Sequence, residues 1–160
     1  MFLVTIILLI IFIFFQLLYI FIPLFLTNGC PPVNKTQDEK GMTILIPAFN
    51  EEKTILNCLQ GIINVSYENY ESIFISDGST DKTFEILLDA LNAIPIEKNP
   101  AGKISHEQVI GFYQSVTYPN IYLIEKANGG KADALNVGIE YASKDIIITL
   151  DADSILDPNS

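Results

Sequence analysis

Residues Asp145 to Ser154 read "DIIITLDADS". Ile146 to Leu150 are apolar apart from one hydroxyl, a run suited to a strand buried on both faces, and the run then delivers Asp151 and Asp153 with one alanine between them. Side chains two apart on an extended strand point the same way, so both carboxylates address one site just beyond the strand. Two carboxylates that close repel, and one tends to take up a proton; a hard divalent cation with oxygen ligands removes that cost. The pair therefore points to Mg²⁺ or Mn²⁺, an ion that keeps waters and binds phosphate oxygens as its remaining ligands.

Upstream, the same alternation of apolar run and polar loop recurs. "MTILIP" (Met42 to Pro47) is a short strand, followed by Ile55, Cys58, Leu59, Ile62 and Ile63 at helical spacing. "SIFIS" is a second strand, and Phe84, Leu87, Leu88 and Leu91 mark a second helix. "IYLIE" is a third, followed by Leu135, Gly138, Ile139 and Ala142 on one face of a third helix, and "DIIITL" closes the series. Continuous apolar strands alternating with helices predict an α/β domain, a Rossmann-like parallel sheet with flanking helices. Pro95 to Asn120 breaks the pattern; Val109, Ile110, Phe112 and Tyr113 suggest a short extra helix there, and its lone His106 reads as a surface residue.

In an open parallel sheet, ligands bind at the carboxyl ends of the strands, and the polar residues collect at those ends: "PAFNEE", "SDGSTD", "KANGGKAD" and "DADS". Each loop also has a plain structural reading. Asn50 suits a helix N-cap with Glu51 and Glu52 in the first turn; Ser79 and Asp81 read the same way, Gly78 as a turn residue, and Asn128 to Gly130 as a simple loop. Four such loops meeting at one sheet edge favour a binding site. "NGGKA" adds two glycines that allow close backbone approach, free N–H groups at a helix start, and the charge of Lys131. The dinucleotide fingerprint G-x-G-x-x-G after the first strand and the Walker A sequence are both absent, which disfavours hydride transfer and P-loop ATP hydrolysis.

The 160 residues suffice for one domain, and a 49% hydrophobic content does not suggest disorder. Met1 to Leu26 carry no charge, and at about 1.5 Å per residue such a helix exceeds the roughly 30 Å hydrocarbon core. The expectation is a transmembrane helix over 1–26, a linker over 27–41 and one domain over 42–160. Lys35 and Lys40 on the C-terminal side of the helix favour a cytoplasmic domain at the cell membrane. Two cysteines make neither a disulfide framework nor a metal spacing, and a net charge of −10 without a basic cluster argues against nucleic acid as a partner.

"ILIPAFNEE", "SDGSTDKT", "NGGKADALNVG" and "ITLDADS", in this order, resemble glycosyltransferase family 2 with its A-type nucleotide-diphosphosugar fold. The wording is most similar to its processive membrane members, such as poly-N-acetylglucosamine and hyaluronan synthases. The resemblance implies that Pro47, Ala48, Asn50 and Glu51 line the nucleotide pocket and that Asp77 contacts uracil, with Gly78, Ser79 and Asp81 shaping its loop. It also implies that Lys131 and Asp133 lie near the diphosphate and sugar, that Asp151 sits by the sugar nucleotide, and that Asp153 is the direct metal ligand. It further implies an inverting transfer of a sugar, N-acetylglucosamine on the nearest wording, from a UDP-sugar donor to a growing polysaccharide, or to a lipid-linked or other glycan acceptor. Members of the family continue past this metal motif into an acceptor-binding half that holds the general base. The chain accordingly reads as a truncated, donor-binding half, with a catalytically silent nucleotide-binding module as the alternative.

Overall fold

The computed structural model describes residues 2–26, 40–154 and 156. The linker expected over 27–41 lies almost wholly outside these. A first helix, α1 (Phe2–Leu26), forms one compact unit, and all the other elements form a second. Every α1 side chain described between Val4 and Tyr19 is exposed. Among the described residues no helix is long and apolar enough to cross a membrane; the expectation over 1–26 is met in its helical conformation, and its spanning of a membrane is not supported.

The second unit runs β1 (Met42–Ala48), α2 (Ile55–Ile63), β2 (Tyr70–Asp77), α3 (Thr83–Ala90), β3 (Ala93–Pro95), β4 (Val109–Ser115), β5 (Ile121–Lys126), α4 (Lys131–Tyr141) and β6 (Ile146–Thr149). One sheet in the order β3-β4-β5-β2-β1-β6 holds all six strands. β6, β1, β2 and β5 are parallel, as expected from the four apolar runs. The sheet as a whole is mixed, because β4 pairs antiparallel with β5, and β3 with β4. The helix expected around Val109 to Tyr113 is therefore strand β4. Valine, isoleucine, phenylalanine and tyrosine favour a pleated, half-buried surface, and here they close the free edge of β5.

Strand alternation builds two cores. Ile44, Ile46 and Ala48 of β1 join Phe74 and Leu123 beneath α2 and α3, where Ile55, Cys58, Leu59, Ile62, Leu87 and Leu91 are buried. Leu45, Ile73, Ile75 and Ile124 face the other way, onto Ala134, Val137 and Tyr141 of α4. The α4 face is thus rotated from the one the spacing suggested: Ile139 is exposed, and Gly138 lies where a Cβ would meet Leu45 and Ile75. β6 pairs on one side only, and its four residues are exposed rather than enclosed on both faces.

At the opposite end of the sheet from the loops, Glu71 is buried and accepts hydrogen bonds from the Thr43 hydroxyl (2.7 Å), the Ser143 N–H (2.6 Å) and the Ser143 hydroxyl (2.7 Å). Burial opposes its charge, but these bonds and nearby Lys98 outweigh it and hold the carboxyl below the usual glutamate value. A depressed folded pKa contributes stability that is present above the unfolded value of about 4.5 and is lost as pH falls through the folded value. Urea unfolding of wild type and Glu71→Gln should give a stability gap that is widest near neutral pH and narrows as pH drops below 4.5. A gap that stays constant into acid would remove Glu71 from this role.

Candidate functional site

The carboxyl ends of β1, β2, β5 and β6 bring the four polar loops together around a cavity of about 260 Å³. The first loop contributes Pro47, Ala48, Phe49 and Glu51; the second Asp77; the third Lys131; and the fourth Asp151, Ala152 and Asp153. Seven of the residues singled out in the sequence therefore share one cavity: Pro47, Ala48, Glu51, Asp77, Lys131, Asp151 and Asp153.

The two aspartates reach it differently from expectation. β6 ends at Thr149, Leu150 adds one more ladder bond to Leu45, and Asp151 to Ser154 form a turn closed by the Ser154 N–H on the Asp151 carbonyl (2.9 Å). The alanine between them explains their common direction. Ala152 is buried in the α2 core, which leaves Asp151 and Asp153 exposed on the outer side of the turn. Lys131, the first residue of α4, reaches across to Asp151 with its Nζ 2.5 Å from Oδ1, an ion pair exposed on both sides. The Cys58 thiol beneath is pushed up to about 11 by burial and by the charge of Asp153.

Asn50, Gly78, Ser79, Asp81 and Asp133 do not line the cavity; they fix the loops that do. Asn50 is not a helix cap. It adopts φ 57°, a left-handed conformation that asparagine tolerates, and its Oδ1 accepts from the Thr80 N–H (2.8 Å) and the Asp81 N–H (3.3 Å). In return the Asn50 N–H donates to the Ser79 hydroxyl and the Glu52 N–H to Asp81 Oδ2. Burial works against the Asp81 charge, but the hydroxyl and N–H of Thr83, with the Glu52 N–H, hold its carboxyl below the usual range. The Thr83 hydroxyl also accepts from the Glu51 N–H (2.8 Å), and the Glu51 carboxylate takes a hydrogen bond from Thr54 (2.6 Å).

Asp77 is buried and densely bonded. Its Oδ1 accepts from the Gly129 N–H (3.0 Å) and its Oδ2 from the Gly130 N–H (2.7 Å), so those two loop amides point at Asp77 and are not free for a ligand. The Asn128 side chain donates to the Asp77 carbonyl (2.7 Å). Two residues at the site had no assigned part in the sequence. Phe49, half exposed at the cavity, was visible only as the aromatic in "PAFNEE". Lys126, fully buried, stood unremarked at the end of its strand. His106 is half-buried, its Nδ1 2.7 Å from the Glu107 carbonyl, and does not line the cavity.

Comparison with known proteins gives the arrangement a context. A protein-family model described as Glycosyl transferase family 2 matches residues 43–160. The chain is 33% identical over 133 residues to the poly-beta-1,6-N-acetyl-D-glucosamine synthase of Staphylococcus aureus (strain COL), covering 83% of this chain and 26% of that protein. It thus spans about a quarter of the length of that relative. Among solved structures, the mannosyltransferase PcManGT from Pyrobaculum calidifontis, in complex with GDP-Man and Mn²⁺, superposes with a TM-score of 0.65 at 21% identity, over 87% of this chain and 35% of that one. S. aureus TarS 1-349 in complex with UDP-GlcNAc gives 0.51 at 20% identity, over 71% and 26%. These likenesses establish the fold, an α/β sheet with flanking helices like that of the A-type glycosyltransferases.

Proposed function

The chain belongs to glycosyl transferase family 2, and from that premise we propose that it is the donor-binding portion of a membrane-anchored inverting glycosyltransferase that uses a UDP-sugar. The observation that carries this reading is the cavity at the strand ends, where two exposed carboxylates and the ammonium of Lys131 face one another. An ammonium and a carboxylate pair suit a metal-bound diphosphate, since the cation offsets phosphate charge and the carboxylates offset the metal's. The name of the staphylococcal relative favours N-acetylglucosamine as the sugar and a growing polysaccharide as the acceptor, with a lipid phosphate or another glycan as the alternative.

Asp151 and Asp153 are hard oxygen donors on one outward face of a turn, and this set fits Mg²⁺ or Mn²⁺. Among the described residues no three acidic, histidine or cysteine side chains are placed to hold a metal ion together, so Asp153, with Asp151, would hold the ion and leave its other positions to diphosphate oxygens and water. When bound, the metal stabilises the charge that grows on the leaving diphosphate. Glu51 and Asp77 serve the nucleoside end, Asp77 toward uracil, and Lys131 the diphosphate. The membrane anchor in this reading is α1, whose apolar side chains between Val4 and Tyr19 are exposed all round, with the catalytic unit on the cytoplasmic side.

Equilibrium binding of labelled UDP-N-acetylglucosamine to the purified chain tests this. Saturable binding displaced by UDP and not by ADP is expected, and a chain that retains no label overturns the reading. Release of labelled sugar from UDP in the same preparation separates an enzyme from a silent nucleotide-binding module.

A further inference from the structure

Lys126 has no part in the reading above, yet it is the best-connected cation in the described structure. Its side chain is fully buried at the end of β5. Its Nζ lies 2.5 Å from Asp77 Oδ1, 2.8 Å from Asp133 Oδ2 and 2.5 Å from the Ala127 carbonyl, three acceptors for the three protons of an ammonium. Burial opposes its charge, but Asp133 and Asp77 outweigh that and raise its pKa, while Lys126 in turn helps to hold Asp133 below the usual aspartate range.

The partners matter more than the ion pairs themselves. Asp77 belongs to the second loop, and its two oxygens receive the amides of Gly129 and Gly130 in the third. Asp133 lies in the first turn of α4, two residues past Lys131. A Cβ on Gly129 would fall inside Asp133, so the loop is seated directly on that carboxylate. One ammonium thereby fixes both ends of the segment that carries Lys131 to the cavity.

We propose that Lys126 is a positioning residue that clasps the second and third loops together through Asp77 and Asp133 and so sets where Lys131 meets the donor's diphosphate. This rests on the nucleotide reading for the identity of the ligand. Without the cation, two carboxylates face each other in a poorly solvated place; the loop relaxes, and Lys131 moves with it. A nucleotide with one phosphate depends on this less than one with two.

The test compares UMP and UDP binding to wild type, Lys126→Gln and Lys126→Arg by calorimetry, together with amide hydrogen exchange at Gly129 and Gly130. Lys126→Gln should weaken UDP at least about tenfold and UMP less than about threefold, with Lys126→Arg recovering most of the loss. The Gly129 and Gly130 amides should be protected in wild type and exchange faster in Lys126→Gln. Equal losses for UMP and UDP, or unchanged UDP binding in a folded variant, would overturn the proposal. Should neither variant fold, the wild-type exchange still decides: protected amides uphold the clasp, and freely exchanging ones overturn it. Failure of the nucleotide reading would look different, as wild type that ignores UDP altogether.

Discussion

Gly78→Ala should destabilise the domain by far more than Gly102→Ala, although both glycines have positive φ. At Gly78, φ is 64° and a Cβ would stand 2.7 Å from the Asn128 amide nitrogen and 3.0 Å from its Cα, backbone that cannot swing aside. At Gly102, φ is 72° with nothing within 4 Å. Left-handed backbone costs a residue with a Cβ about 1–2 kcal/mol, and both variants carry this term. Forcing atoms into closed space adds a further 1–3 kcal/mol or so, and only Gly78→Ala carries that one. Urea unfolding should therefore separate the two by more than their shared strain. The damage also has an address, since pushing Asn128 away withdraws the Gly129 and Gly130 amides from Asp77. UDP affinity should fall in Gly78→Ala and hold in Gly102→Ala. Equal stability losses would mean that the two loops are not in the close contact described.

How much of this was legible in the sequence depends on how local the signal is. The four parallel strands were, because each is a mostly apolar run rich in branched residues between polar loops, the pattern of strands in a parallel sheet, and β1, β2 and β5 are largely buried. β4 was not. Val109, Ile110, Phe112 and Tyr113 have the offsets of a helical face, and what makes them a strand is the open edge of β5, which no window around residue 110 contains. The phase of α4 was missed for a related reason. Gly138 allows the helix to approach Leu45 and Ile75 closely, which places Ala134, Val137 and Tyr141 inward and leaves Ile139 outside.

At the site, the convergence of loops was legible because it follows from strand direction alone. Which loop residues line the cavity and which brace it was not. Asn50 reads as a helix cap until its partners, Thr80 and Asp81, are seen to lie some thirty residues away. Asp151 and Asp153 were matched to one site on the premise of an extended strand, whereas a turn pinned by buried Ala152 directs them. Lys126 gave no sign at all, since a lysine at a strand end is ordinarily a solvated one.

Asp153→Asn should have the largest effect on ligand binding of any change that leaves the fold intact. Asparagine preserves shape and some hydrogen bonding but lacks the charge that a hard cation requires. Asp153 is exposed in a turn, so the substitution removes little from the core. If the two carboxylates hold a metal that in turn holds the diphosphate, the gain in UDP affinity that Mn²⁺ confers should be about tenfold or more in wild type, and it should vanish in the variant. The direct measurement is a calorimetric titration of UDP into wild type and Asp153→Asn, each with Mn²⁺ and with EDTA. The account predicts tight binding in wild type with Mn²⁺ alone and weak binding in the other three. UDP binding that is indifferent to Mn²⁺ and survives the substitution would contradict it.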